Sequence, residues 1–350
     1  MTYFQQIDLM ARGAAIALFL LWSWMLLRDH REILAARLAI AMNAGIIGYV
    51  VATLGSGYDP SPFRIICVIF AGSTPGLFWL FARSWFNDRQ RLESWAVVLV
   101  VLSVLNILVM QWSFRRYGSV NIIAGTMFRV GMLAFAAAGL WEAWRGRAGD
   151  LVEIRRRMRP RIAAAVGISV ILIAIVEIAV FNLDAPRWIA RAVGGEIAVL
   201  TLLFCTAMFG MRESDLFGAP PKALAIVAPP TDDAMTDRLL THMTAELPHR
   251  DEEMTIAKLA AQLGVQEYRL RRHINGALGH RNFAAFLNGY RLAEVKSALV
   301  DPSQKEVPII TIALDAGFGS LGPFNRAFRE AEGMTPSEYR ARALADFKIG

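Results

Sequence analysis

Apolar residues fill long unbroken blocks in the first two thirds of the chain, and from about Asp232 onward they recur instead at three- and four-residue intervals. Seven blocks can be drawn: Leu9–Leu27, Leu38–Leu54, Phe63–Phe81, Trp95–Gln111, Ile122–Trp141, Ile162–Phe181 and Val193–Phe209. Each approaches the ~20 residues that a helix needs to cross ~30 Å of hydrocarbon. Most are apolar on every face, whereas a helix on the surface of a soluble protein keeps a polar stripe. The pattern predicts seven transmembrane helices.

The second pattern predicts short amphipathic helices separated by glycine turns. Thr255 can cap a helix over 255–264 that buries Ile256, Leu259, Ala260 and Leu263, with Met254 packing on Leu259. Gly264-Val265 turns the chain into a second helix over 266–278, with Leu270 and Ile274 inward and Arg269, Arg271 and Arg272 on other faces. A helix, a short glycine turn and a basic helix make a helix-turn-helix pattern. A longer helix runs over 282–299. The pattern then repeats: a helix over 310–316, a turn at Gly317-Phe318-Gly319, and a second helix over 321–333 that Ser320 can cap, with Phe324 and Phe328 inward. Thr335-Pro336-Ser337-Glu338 supplies a capping box, with Pro336 at the first helical position. Between the two patterns, 211–234 holds Pro220-Pro221 and Pro229-Pro230 and reads as an extended linker. The expected organisation is all-α: a seven-helix membrane bundle over 1–210, the linker, and a cytoplasmic domain over 235–345.

Composition agrees. The 350 residues are 55% hydrophobic and 19% charged, with mean hydropathy +0.39. That excludes a disordered chain. Two cysteines, Cys67 and Cys205, both in apolar blocks, exclude a disulfide scaffold and a zinc site. All nine tryptophans lie at or before Trp188, most of them at block ends, as in an interfacial aromatic belt. The net charge of +7 arises mainly in the apolar part, because 15 of the 37 basic and 14 of the 30 acidic residues lie from Thr236 on. A high isoelectric point is therefore not by itself a nucleic-acid signal here.

Loop charge gives an orientation. With Met1 outside, the inner loops carry 13 arginines and the outer segments 6, which puts the C-terminal domain in the cytoplasm of a multi-pass protein. The basic run over 145–161 reads either as a topology determinant at the inner leaflet or as a site for anionic lipid or DNA phosphate. Arg129, Glu177 and Glu196 fall at one depth in the outer third of three successive blocks. Charges within a membrane are costly unless paired or hydrated, so this trio is the candidate signal-ligand site, against a structural ion pair. No HExxH motif, nucleotide loop or Ser/His/Asp or paired-acid cluster marks an enzyme, so no catalytic residue, metal or cofactor is expected.

The stretch from about Thr255 to Arg340 resembles the DNA-binding domain of the AraC/XylS family of bacterial transcription regulators. The residues that carry this are TIAKLAAQLGVQEYRLRRHINGALG and IALDAGFGSLGPFNRAFREAEGMTPSEYR, with Ala313, Gly317-Phe318, Phe324, Arg326, Phe328, Gly333, Pro336, Tyr339 and Arg340 in one spacing. The resemblance covers about a third of the chain. It implies a seven-helix unit whose two helix-turn-helix motifs are joined by the long helix and enter successive major grooves ~34 Å apart. It matches Tyr268, Arg271 and Arg272 of the first motif to base-facing positions, with arginine suited to bidentate pairing with guanine, and Gln266 and Arg269 beside them complete the candidate DNA-binding set. Ser320, Leu321, Gly322, Asn325 and Arg326 are the corresponding set in the second, whose Leu-Gly-Pro tip offers little hydrogen-bond readout. Gly319 and Ser320 present a helix N-terminus suited to a phosphate.

The expectation is a transcription regulator in a bacterial inner membrane, not an enzyme. Its partners would be promoter double-stranded DNA, the lipid bilayer, a signal ligand or partner membrane protein, and a second copy in a homodimer. Two alternatives stand beside it: a transporter or enzyme domain with a regulatory DNA-binding tail, or a membrane half that only anchors.

Overall fold

A computed structural model of the chain describes residues 3–54, 61–88, 91–113, 117–153 and 233–346, together with 155, 156, 158–161, 165 and 169. The described residues contain many helices and no strand; a single antiparallel bridge among them pairs Asp150 with Asn282. They divide into two compact units. One holds 3–147 and the described residues from Glu153 to 169; the other holds Ala148–Val152 and 233–346.

The first unit contains α1 (Tyr3–His30), α2 (Leu34–Ala52), α3 (Pro62–Phe86), α4 (Ser94–Ser113) and α5 (Gly118–Trp144). All five are long and apolar enough to cross a membrane. The sequence pattern predicts seven. The two further blocks, over 162–181 and 193–209, fall outside the described residues but for isolated positions, as does the linker up to 232, so the structure supports five spans.

Small residues bring α2 and α3 together. A Cβ on Gly48 would stand 2.7 Å from the Cys67 carbonyl oxygen, and one on Gly45 would stand 2.8 Å from that of Phe70. Close backbone approach through small residues lets long apolar helices pack by van der Waals contact. Side-chain amides then fasten neighbours: Asn43 donates to Ser23 Oγ at 2.9 Å, and Asn106 to the Ala124 carbonyl at 2.9 Å. Outward faces stay apolar and exposed, as at Val98, Leu102, Ile122 and Val130.

Arginines cap helix ends in this unit. Arg12, only 1% exposed, donates to the Val50 carbonyl at 3.0 Å and Thr53 Oγ1 at 2.7 Å near the end of α2, and pairs with Asp8 at 2.9 Å. At the end of α3, Arg155 bonds the Trp85 carbonyl at 2.8 Å and the Asp88 carboxylate at 2.6 and 2.9 Å. Arg159 donates to the carbonyls of Phe86 at 2.8 Å, Ala143 at 3.3 Å and Arg145 at 3.0 Å. Both are buried, so these two residues of the basic run satisfy the carbonyls that end α3 and α5 instead of facing an anionic surface.

The second unit contains α6 (Asp233–Ala245), α7 (Ile256–Gln262), α8 (Glu267–Gly276), α9 (Phe283–Val300), α10 (Ile309–Asp315), α11 (Leu321–Glu332) and α12 (Pro336–Asp346). Thr255 caps α7, its side chain accepting from Lys258 N at 3.2 Å. Asn282 caps α9, accepting from Ala284 N at 2.8 Å. The expected capping box is complete: Thr335 N donates to Glu338 Oε2 at 2.7 Å and Glu338 N to Thr335 Oγ1 at 3.2 Å. Ser320 stands at the N-cap position of α11 but makes no capping bond with its side chain.

Two separate hydrophobic clusters share α9. Phe283, Phe286 and Leu287 pack with Leu239, Leu259, Leu270 and Ile274. Leu292, Val295 and Leu299 pack with Ile312, Phe318, Phe324 and Phe328. The long helix therefore serves both halves of the unit.

Candidate nucleic-acid interface

The first half presents α8. The turn before it is closed by backbone bonds, Gly264 N to Ala261 O at 3.1 Å and Val265 N to Ala260 O at 2.9 Å, with Gly264 left-handed at φ +65°. Leu270 and Ile274 are fully buried, and this fixes which edge of α8 faces away from the core. Gln266, Arg269 and Arg272 are exposed there, and Tyr268 is 63% exposed. Gln266, Tyr268 and Arg269 also border a cleft of about 460 Å³ shared with Met235, Arg238 and Gly264. Arg238, on its wall, donates to the Leu263 carbonyl at 2.8 Å.

Arg271 stands apart from this edge. It is 4% exposed. Its Nη1 donates to the carbonyls of Asp150 and, at 3.2 Å, Ala148, while its Nη2 pairs with the Glu267 carboxylate one turn earlier. The departure from the expected DNA-facing placement has a plain cause: two backbone carbonyls and a carboxylate hold a guanidinium better than open solvent beside the helix. These carbonyls belong to a strap, Ala148–Val152. Leu151 N donates to the Arg281 carbonyl at 3.1 Å and Phe283 N to the Gly149 carbonyl at 2.9 Å. Leu151 is buried in the same cluster as Leu270 and Ile274. Asp150 Oδ1 accepts from Val152 N at 3.1 Å, an Asx turn that shapes the strap. Nothing in the residues of 145–161, read as a basic run, signals this attachment.

The second half presents α11. Phe324 and Phe328 are fully buried, with ring centres 5.7 Å apart, so Ser320, Leu321, Gly322 and Arg326 are exposed and Asn325 half-buried. All five expected residues therefore share the outer side of the helix start. The turn before α11 is tight. Gly317 has φ +93°, and a Cβ there would run into the His249 carbonyl oxygen and stand 2.8 Å from Arg250 Cα.

Polar bonds hold the two halves. Arg291 Nε donates to the His249 carbonyl at 2.7 Å and its Nη2 to that of Asp251 at 2.8 Å. Glu294 contacts His249 Nε2 at 2.9 Å and pairs with Arg250 at 2.7 Å. Burial pushes the Glu294 carboxyl up, but the hydrogen bonds and charge of Arg250 and His249 outweigh it and hold the group below its ordinary value. Burial alone pushes the His280 imidazole down.

In the membrane-length unit, Arg129 is half-buried on α5, with Gly125 one turn earlier leaving room beside its guanidinium. Glu177 and Glu196, the other members of the expected charge trio, lie outside the described residues.

Residues 259–342 match the family described as a helix-turn-helix domain. Right origin-binding protein of Escherichia coli (strain K12) is 32% identical over 92 residues, which cover 26% of this chain and 30% of that protein. The transcriptional regulator Rob of Salmonella typhimurium has the same identity over the same length. Regulatory protein SoxS of Salmonella typhimurium is 32% identical over 94 residues, or 27% of this chain and 84% of SoxS. The chain thus spans under a third of the first two relatives and most of the third. No solved structure matches the chain.

Proposed function

The chain belongs to the AraC/XylS family of DNA-binding transcription regulators, and from that premise we propose that it regulates promoters from a bacterial inner membrane. In this reading α7–α8 and α10–α11 are the two helix-turn-helix units. The exposed edge of α8, with Gln266, Tyr268, Arg269 and Arg272, reads base edges in one major groove. Leu321, Gly322, Asn325 and Arg326 of α11 enter the next, with Ser320 at a phosphate. Arginine supplies guanine readout and Tyr268 an apolar contact to thymine methyl groups. The single observation that carries the reading is the amphipathic split of α8: its apolar side is sealed in the core while a basic and aromatic edge faces out. Five apolar helices support membrane insertion, and the arginine bias of the loops supports a cytoplasmic DNA-binding unit.

The membrane half is proposed to sense a signal. Arg129, Glu177 and Glu196 are the candidate site; one arginine against two carboxylates favours a cation over an anion. Arg129→Gln, Glu177→Gln and Glu196→Gln at normal membrane abundance are expected to alter the response of a promoter reporter; a change of abundance alone would assign the trio to structure.

The deciding experiment is genome-wide mapping of DNA crosslinked to the full chain, with the chain followed by membrane fractionation. The expected result is a small set of promoter sites sharing one motif, with the protein in the membrane fraction. Uniform background binding would sink the regulator reading.

A further inference from the structure

We propose that the strap Ala148–Val152 is a built-in competitor of DNA: docked on the edge of α8 and the start of α9, it holds Arg271 out of the DNA-facing edge. This inference rests on the DNA-binding reading above.

Three observations carry it. First, Arg271 is the one residue of the five expected on α8's DNA edge that is buried, and what buries it is a segment lying 121 positions earlier in the chain. Both of its terminal nitrogens are engaged, Nη1 by the Ala148 and Asp150 carbonyls and Nη2 by Glu267. A bidentate pairing with guanine needs the same N–H groups, so strap and base edge cannot both hold them. Second, the strap is attached at several points at once. They include the two backbone bonds that flank the Asp150–Asn282 bridge, the Arg271 bonds, and an apolar anchor, Leu151.

Third, the chain on either side of the strap belongs to the other unit. Trp144 ends α5, and Arg155 is bonded to the Trp85 carbonyl and Asp88 at the end of α3. Three peptide steps separate Val152 from Arg155, at most about 11 Å of extended chain. The basic run is in this sense bipartite: Arg155 and Arg159 cap helices of one unit, and Ala148–Val152 belongs to the other.

The bridge geometry supplies a reversible lock. Asp150 and Asn282 are opposed between the pair of backbone bonds without sharing them, which is the close-spaced position of an antiparallel ladder and suits a disulfide. The test uses the full chain in lipid nanodiscs, carrying Cys67→Ala, Cys205→Ala, Asp150→Cys and Asn282→Cys. A DNA duplex is first selected from a random pool by the reduced protein. Its affinity is then measured for the same preparation oxidised and reduced, with the two single-cysteine proteins as controls. Oxidation is expected to weaken binding by about tenfold or more, as loss of a bidentate arginine contact implies, and reduction to restore it. Equal or tighter binding by the oxidised protein overturns the proposal, because strap and DNA would then coexist. So does failure of the disulfide to form in folded protein, which would mean that the strap is not docked. If the reduced protein enriches no sequence at all, the DNA-binding reading itself has failed and the competitor falls with it.

Discussion

The guanidinium of Arg291 stands over the ring of Phe318, 5.7 Å from its centre, while its nitrogens hold the carbonyls of His249 and Asp251. One side chain of α9 thus clamps the turn at 248–251 against the turn that opens α11. The clamp explains why the residue beside Phe318 is glycine: the backbone at Gly317 must pass the His249 carbonyl with no room for a methyl group.

Gly317→Ala is accordingly expected to be among the costliest small changes in the second unit. It combines a left-handed backbone with a steric clash against main chain, and the loss should exceed about 2 kcal/mol. Thermal unfolding of the purified full chain, followed by circular dichroism and by loss of DNA binding, measures it. Wild-type behaviour would show that the turn can move.

Arg272→Ala leaves the fold alone, since the side chain is exposed, and should cost about 1–3 kcal/mol in binding while relaxing preference at one or two base pairs. Competition binding against the selected duplex and its single-base variants gives both quantities. Uniform weakening across all variants would recast Arg272 as a phosphate contact.

Gly48→Leu drives a side chain into the Cys67 carbonyl across the α2–α3 contact. Overpacking of this kind costs about 1–3 kcal/mol. The expected outcome is a lower melting temperature in detergent and reduced membrane abundance, with DNA preference unaltered in whatever protein survives. Full stability would mean that α2 and α3 are not locked at this point.

Acid should weaken the clamp region. The Glu294 carboxyl is held below its ordinary value of 4.5, so its contribution to stability is complete above that value and disappears as pH falls through the lowered one. Unfolding curves from pH 7 down to about 3 should show a loss that Glu294→Gln flattens. Identical pH slopes for both proteins would assign the acid sensitivity to other carboxylates.

A reporter fused at Gly350 should report cytoplasm, and one inserted in 59–61 the outside, as the 13-to-6 arginine bias requires. A cytoplasmic signal from the second position would reverse or break the expected topology.

What the sequence made legible was whatever depends on neighbours in sequence. Thr255 and the Thr335–Glu338 box act within one helical turn, and Leu270, Ile274, Phe324 and Phe328 follow from helical spacing alone. The exposed set on α8 and α11 follows in turn, because burying one side of a helix exposes the other. Contacts far apart in the chain were illegible. Arg155 and Arg159 have the composition of a surface run, yet fold onto carbonyls 70 and 73 positions earlier. Arg271 has the spacing of a DNA contact, yet besides Glu267 one turn earlier it finds the carbonyls of Ala148 and Asp150, in a loop that nothing local connects to it. Ser320 shows the reverse limit: the right residue at a helix start, without the bond.

The sharing of α9 by both hydrophobic clusters makes this helix a ruler. Inserting one residue would advance everything beyond it by about 1.5 Å and turn it by about 100°. The face that α11 offers would then no longer line up with that of α8, whatever its side chains. The helix is in this sense held to a fixed residue count. In the proposed two-groove reading, a new DNA preference comes from exchanging side chains on α8 and α11 and not from respacing them.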